Sequence, residues 1–575
     1  MASLKKSGGI TCLLIGKFKP MKDFKKSVWN ITLLLSVLWL FGCSKGNSDT
    51  GSADDFKITG ISANATSNKD GFVNANPRQL SITLTFSDAI DPKTVDGNIQ
   101  LKDNSNTKLA LNISYDTGAK TIHVSPADVL GSYTNYSFVI WPNIKSADGT
   151  PLFSGKTYSI TTSVDSTDKF TRIPYDDLLT LVQRQTFNYF WDFGHPTSGM
   201  ARERSSSGDV VTTGGTGFGI MAMIVAIERG FISRQEGLDR IQKIVNFLDN
   251  KCTKYHGAFS HWINGATGAT VPFSQYDDGA DLVETSYMFQ ALLTVQQYFS
   301  KPVDAESQLR SQIDRLWRAV EWTWFQKDGE KALYWHWSAN YGWKMNMKIT
   351  GWNEALIVYV LAASSPTYPI SKDVYTEGWA RYGSITNGRT FYQYLLPLGE
   401  DYGGPLFFSH YSFLGLNPKK LKDTYADYWM QNRNHSLINY NYCITNPKSY
   451  AGYSADCWGL TASDEKDGYA AHSPTNDNGT ITPTAALSAM PYTPDESKKA
   501  LEFFYYKLGD KIWKNYGFAE AFNLSQGWYS DQYLAIDEGP IILMIENYRS
   551  GLLWNTFMSS PYVVNGLGLL GFTTS

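Results

Sequence analysis

Two stretches of this chain are apolar on every side of a helix, and they restrict its fold more than anything else in it. Residues 355–363 read ALIVYVLAA and residues 541–545 read IILMI. A helix with no polar face has to be covered all round. Between about 165 and the end of the chain the hydrophobic period is helical. From Tyr175 the apolar groups fall at 178, 179, 181, 182, 187, 189 and 190, and further helical patterns cover roughly 216–229, 234–250, 280–299, 304–325, 352–364, 387–396, 421–441, 494–514 and 539–554. An inner ring inside a double ring of helices, an (α/α)6 toroid, gives the all-apolar helices their cover. About 400 residues suit twelve helices of ordinary length with long loops, although composition alone also permits other large helical folds.

The preceding segment has a different period. Over 56–164 the stretch LSITLTF (80–86) alternates apolar and polar residues, as do 121–125 and 136–140, the pattern of half-buried strands. Asp-, Asn- and Gly-rich turns at 88–91, 103–106 and 148–149 separate them. Short strands at this spacing predict a β-sandwich of about 100 residues. The stretch FSDAIDPKTVDGNIQL (86–101) resembles bacterial Ig-like domains, which implies a spacing or docking role.

The first residues read as an export leader. Lys25 and Lys26 precede the apolar run ITLLLSVLWLFG (31–42), which is too short to span a bilayer and suits a secretory signal. Leu40-Phe41-Gly42-Cys43 resembles a bacterial lipobox, implying lipidation at Cys43, a leader over 1–43 and a membrane contact through the lipid alone. The expected location is the periplasm or outer membrane of a Gram-negative bacterium. Residues 44–55, SKGNSDTGSADD, read as a tether.

The formal net charge is −3, and the first 42 residues hold seven Lys and one Asp. The remainder is therefore acidic, which excludes nucleic-acid binding on charge grounds. No CxxC and no HExxH occur, so neither a cofactor nor a catalytic metal is expected. Of Cys252, Cys443 and Cys457, the last two could pair in an oxidising compartment. A monomer is the default expectation.

The carboxylates carry the chemistry. QYDDGADLVETSYM (275–288) holds Asp277, Asp278, Asp281 and Glu284. Positions 277, 281 and 284 are spaced to share one helical face, where like charges raise one another's pKa. Helix capping explains one or two of these acids. Glu354, in GWNEALIV (351–358), opens an apolar helix beside Trp352; desolvation there favours a protonated carboxyl, the state of a general acid. Asp537, in IDEGP (536–540), stands at another helix entry, where capping is an equal rival. Aromatic loops surround these acids: Trp335, Trp337, Trp343, Trp352, Trp458 and Trp528 are candidate platforms for sugar rings, and core packing is the competing role for each. Arg202, Arg204, His410 and Asp456 are loop groups able to bond sugar hydroxyls.

Three long stretches, TGWNEALIVYVLAASSPTYPI (350–370), SADCWGLTASD (454–464) and IDEGPIILMIENYRSGLLW (536–554), resemble the bacterial glycoamylase-like proteins and, more narrowly, glycoside hydrolase family 144. The resemblance covers about 165–575. It implies an (α/α)6 toroid, a β-1,2-linked glucan substrate, and hydrolysis with inversion, endo-acting or releasing sophorose. It matches Asp277, Asp281 and Glu284 to an acidic pocket by spacing and makes Glu354 the candidate acid, leaving the base open among that pocket and Asp537. Another toroid carbohydrase and a non-catalytic glycan-binding lipoprotein are the competing readings; stacked carboxylates suit binding alone poorly.

Overall fold

Period-2 strands in the first hundred described residues fold back to back. The computed structural model describes residues 55–574, so the leader, Cys43 and most of the tether lie outside the described residues. One sheet orders the strands Ile58–Ala63, Ile82–Phe86, Thr121–Pro126 and Leu111–Tyr115. The other runs Thr66–Asn68, Gly71–Ala75, Lys156–Thr162, Asn135–Ile140, Ile99–Lys102 and Lys108–Leu109. All pairings are antiparallel except that of Lys156–Thr162 with Gly71–Ala75. Ile82, Leu84 and Phe86 alternate with more exposed Thr83 and Thr85, and they bury against Ile122, Val124 and Phe138 between the sheets.

A short linker pins the sandwich to the helical part of the chain. Asp165 pairs with Arg78 at 2.8 Å and Lys169 at 3.0 Å. Lys507 reaches back to Asp168 at 2.7 Å.

From Tyr175 the chain is helical: α1 Tyr175–Trp191, α2 Thr213–Glu228, α3 Arg234–Asn250, α4 Leu282–Tyr298, α5 Asp304–Arg318, α6 Leu356–Ser364, α7 Tyr428–Thr445, α8 Pro483–Ser488, α9 Pro494–Glu502, α10 Gly509–Ile512, α11 Ala535–Arg549, α12 Leu552–Met558 and α13 Pro561–Leu570. The helices divide by burial. In α6 all nine residues are buried, and α2, α4, α8 and α11 are buried along almost their whole length. By contrast, α3 and α5 bury one stripe each, and α3 starts with a capping box between Ser233 and Glu236. The buried helices form the inner ring of the (α/α)6 toroid: α2 packs on α4 and α11, α4 on α6, and α11 on α8. Each fully buried Val, Leu or Ile of α6 contributes about 2 kcal/mol. Close approach of α2 to its neighbours depends on TGGTGFG at 213–219: a Cβ on Gly217 would lie 2.7 Å from the Tyr287 carbonyl.

One inner position is filled by 3-10 turns, Leu406–Ser409 and Tyr411–Phe413. They are tied inward by Gln290 donating to the Tyr411 carbonyl (3.2 Å) and Asn547 to the Leu414 carbonyl (2.9 Å). The helix expected over 387–396 is instead a hairpin, Thr386–Phe391 with Tyr394–Leu398. Aromatic residues and the consecutive positive φ of Tyr392 (48°) and Gln393 (73°) turn it, the tight two-residue turn that matches strand twist. Cys443 and Cys457 are buried free thiols in one core cluster rather than a disulfide.

Candidate active site

The first turns of the inner helices meet at one end of the toroid. The start of α2 touches the starts of α4 and α11: Gly214 N donates to Glu284 Oε2 at 2.6 Å, and a Cβ on Gly215 would meet the Ala535 Cβ at 2.6 Å. Thr484 of α8 donates to the Asp537 carbonyl of α11 at 2.8 Å. Two groups of acids occupy this end.

The first group surrounds the start of α4. Asp277 lies in a loop, Asp281 is the N-cap and Glu284 is in the first turn. They therefore converge without sharing a helical face, because the helix begins only at Leu282. Asp281 Oδ1 accepts from the amides of Val283 and Glu284, each at 2.9 Å. Its Oδ2 faces Trp335 Nε1 (3.2 Å), His261 Nδ1 (3.2 Å) and His336 Nε2 (3.4 Å). The same imidazoles stand 3.5 and 3.3 Å from Asp277 Oδ2. Burial alone would raise both aspartates, but bonds from His261 and His336 outweigh it and hold them below the usual carboxylate range. This corrects the expectation that mutual repulsion raises every acid here. His336, which burial would depress, is pushed up to about 9 by Asp277 and Asp281. Asp278 is not part of the group and binds Asn340 at 2.7 Å. Donor atoms of His261, Asp277 and Asp281 lie within 4.8 Å of one another, a spacing a cation can share; the two imidazoles already supply positive charge to both carboxylates.

Glu284 reaches from α4 to the open amides of α2, with Thr212 Oγ1 adding a bond at 3.2 Å. Burial raises its pKa, with His261 opposing and Asp281 adding. Glu354 is half-buried in the loop just before α6. Its carbonyl accepts from the hydroxyls of Ser412 and Tyr287. Burial, with the charges of Asp281 and Glu284 adding, raises its carboxyl to about 7.

The second group surrounds the start of α11. Asp537 Oδ1 accepts from Tyr411 OH at 3.3 Å, and Oδ2 is buried. Glu520 is buried with its carboxyl against that of Asp537, and Glu538 Oε2 has no hydrogen-bond partner. Arg204 pairs with Glu203 at 3.0 Å and Asp464 at 3.1 Å. Burial raises Asp537 to about 7 and Glu520 well above its ordinary value, where Asp537 adds its charge. A recess of about 410 Å³ opens beside them, lined by Arg204, Asp464, Trp528, Tyr529 and Gln532. Tyr287, Phe218 and Tyr411 join the two groups, with ring centroids 5.3 to 5.8 Å apart.

The other sequence candidates divide. Trp335 touches Asp281, and Trp528 and Arg204 line the recess. Trp337 and Trp343 pack around Trp324 with partly exposed rings. Trp458 is not a platform: it is fully buried, bonded to the Glu496 carbonyl at 3.2 Å. Trp352 is buried against Phe413 and Tyr428. His410 is not an open loop group either; it is 2% exposed, and burial pushes it down to about 3. The Arg202 guanidinium is taken up by the Gly208 carbonyl (2.7 Å), the Phe193 carbonyl (2.5 Å) and the Phe193 ring. Asp456 is exposed in the turn at 454–457, and none of its described contacts reaches either acidic group. Sequence reasoning did not single out His261, His336, Glu203, Asp464, Glu520 or Tyr411. Glu520 alone carried a signal, an isolated acid within GFAEAF.

The family described as "Putative glucoamylase" matches residues 346–561, and the bacterial Ig-like domain matches residues 57–162. An exo β-1,2-glucooligosaccharide sophorohydrolase (non-reducing end) of Parabacteroides distasonis is 47% identical over 435 residues, 71% of this chain. The chain spans 60% of that curated relative's length. An endo-β-1,2-glucanase from Chitinophaga pinensis, solved with sophorotriose and glucose, is 53% identical over 70% of this chain and 99% of its own, with a TM-score of 0.69. A β-1,2-glucanase from Parabacteroides distasonis is 38% identical, covering 90% of this chain and 74% of its own, with a TM-score of 0.68. The chain belongs to the glycoamylase-like family of glycoside hydrolases, of the family 144 type, and carries an N-terminal bacterial Ig-like domain.

Proposed function

We propose that this protein hydrolyses β-1,2-glucan or its oligosaccharides with inversion, with Glu354 as the general acid and Asp537 handling the water. The observation that carries the reading is the state of Glu354, a half-buried carboxyl near 7 beside ionised Asp281 at the mouth of the inner ring. A general acid works best with a pKa near the operating pH. Inversion needs a second carboxylate on the opposite face of the sugar, about 6.5–9.5 Å away, with room for water. The water is assigned to Asp537 because Glu284 is bonded to the Gly214 amide and Asp281 to the α4 amides and both imidazoles, and the imidazoles that lower Asp277 make it a weaker base than Asp537, which burial raises to about 7. Asp277, Asp281, Trp335 and Arg204 then bind and orient sugar hydroxyls.

The relatives' names support the linkage and span both exo and endo attack, so the products decide the mode. A ladder of oligosaccharides from linear β-1,2-glucan means endo attack; disaccharide alone from the first time point means exo attack. Products from starch or β-1,3-glucan but none from β-1,2-glucan would overturn the substrate. The anomer released, read by NMR in the first minutes, tests inversion. The reading includes export as a monomeric lipoprotein held at the periplasmic or outer membrane through Cys43. Labelling with a radioactive fatty acid, lost in Cys43→Ser, tests that anchor.

A further inference from the structure

Besides the linker, the β-sandwich touches the toroid at a hairpin on the rim of the recess. Phe522–Asn523 pairs with Trp528–Tyr529, and on its other side with Thr480–Ile481, which leads into α8. The hairpin is thus rooted in the inner ring through one strand, while its other strand carries Trp528 and Tyr529 to the recess shared with Arg204 and Asp464. Its tip includes Gly527 at φ 58°, a left-handed position that favours glycine.

Two loops of the sandwich meet this hairpin. The Cβ position of Gly527 lies 3.5 Å from Asn104 Nδ2 and 3.6 Å from the Tyr133 carbonyl. The Tyr133 ring crosses the domain boundary and packs into the toroid's own apolar core, beside Tyr529 and Cys457. Tyr133 is itself held at φ 43°, a conformation that a bulky residue keeps only when its surroundings over-determine it. Those surroundings are visible. Tyr133 N donates to the Ser163 carbonyl at 3.2 Å, Ser132 Oγ accepts from Asp165 N at 2.8 Å, and Thr162 Oγ1 donates to the Gly131 carbonyl at 2.6 Å. The loop is braced on its own domain and presents one aromatic side chain to the neighbour.

We propose that the Ig-like domain is a working part of the glucan cleft, with Tyr133 as a positioning residue that seats the 522–529 hairpin and thereby fixes Trp528 over the recess. Tyr133 touches no sugar in this reading; it acts through Tyr529 and the hairpin tip. The glucan as occupant rests on the function proposed above, but the seating of the hairpin does not.

The experiment uses the full chain with Tyr133→Ala, Tyr133→Phe and Tyr133→Leu, the last keeping the boundary apolar if alanine fails to fold. Amide hydrogen exchange over 522–532 is measured beside KM and kcat on β-1,2-glucan oligosaccharides. In Tyr133→Ala, exchange in the hairpin is expected to rise about tenfold as its local opening becomes easier. KM is expected to rise about fivefold with kcat within about twofold, the signature of lost substrate positioning rather than lost chemistry. Tyr133→Leu should move both in the same direction by about threefold, and Tyr133→Phe should match the wild type in both. Unchanged exchange in Tyr133→Ala and Tyr133→Leu would overturn the proposal, as would faster exchange with an unchanged KM. A wild type that leaves β-1,2-glucan intact would overturn the substrate reading alone, and the exchange result would then decide the seating by itself.

Discussion

The two acidic groups stand at the same end of neighbouring inner helices and are balanced in opposite ways. Around α4, two imidazoles face two aspartates at 3.2 to 3.5 Å, and Glu284 is bonded to an amide of α2. Around α11, Arg204 pairs with Glu203 and Asp464, while Glu520 and Asp537 are buried carboxyl against carboxyl beside Glu538. Asp277 and Asp281 are therefore held ionised, whereas burial raises Glu520, Asp537 and Glu538 above their ordinary values. Crowding of carboxyls does not set their acidity: counter-charge and donors do. Glu354 belongs to neither pattern. It lies close enough to the first group to feel its negative charge and has no share in the imidazoles, which leaves a proton available near neutral pH.

The sharpest way to break this contrast is to remove the proton itself. Glu354→Gln should lower kcat on β-1,2-glucan by about 10³-fold or more with unchanged far-UV circular dichroism. Wild-type kcat should fall as pH rises above about 7, because a general acid works only while protonated. A variant with near-wild-type turnover would remove Glu354 from the mechanism. Asp537→Asn, which keeps the Tyr411 contact but cannot accept the water's proton, should cost about 10²-fold in kcat. A loss confined to KM would make Asp537 a binding group instead.

A smaller effect probes the charge balance of the first group. His336 is raised from its ordinary 6.5 to about 9, so its stabilisation is complete below about 6.5 and is lost as pH climbs through 9. His336→Gln should lower unfolding stability at pH 6 by on the order of 2–3 kcal/mol. It should also flatten the wild-type decline between pH 6.5 and 9. Equal slopes in the two proteins over that range, by thermal or urea unfolding, would show that His336 carries no such charge.

How much of this could be read in the sequence depends on how far apart the partners lie in the chain. The change of period near 165 and the all-apolar runs at 355–363 and 541–545 are local signals, and they lead to a sandwich and a buried inner ring. The 387–396 stretch misled because its apolar spacing tolerates either period, and the turn at Tyr392-Gln393 contains no glycine to mark it. Asp277, Asp281 and Glu284 were visible as a cluster, but their ionisation was not, since His261 and His336 reach them only through the strand pairing of Asp281 with His336 and the loop before Asp277. Trp458 and Trp528 look alike as loop tryptophans; tertiary packing makes one core and the other rim.

The smallest expected effect falls on Asp456, whose described contacts reach neither group. Asp456 lies within SADCWGLTASD, one of the three stretches most like the family, which makes it as attractive from the sequence as Asp537. In the structure its carboxylate is exposed, and its described bond is from its own amide to Ser454 Oγ at 3.3 Å. The residues around it, Cys457 and Trp458, are core. The middle of the stretch is therefore packing, its end brings Asp464 to Arg204, and Asp456 itself is solvated surface. Surface substitutions away from paired groups stay within about ±0.5 kcal/mol, so Asp456→Asn should leave melting temperature unchanged and KM and kcat within about twofold of the wild type. A tenfold rise in KM would instead place the 454–457 turn on the substrate path and extend the cleft beyond the two acidic groups.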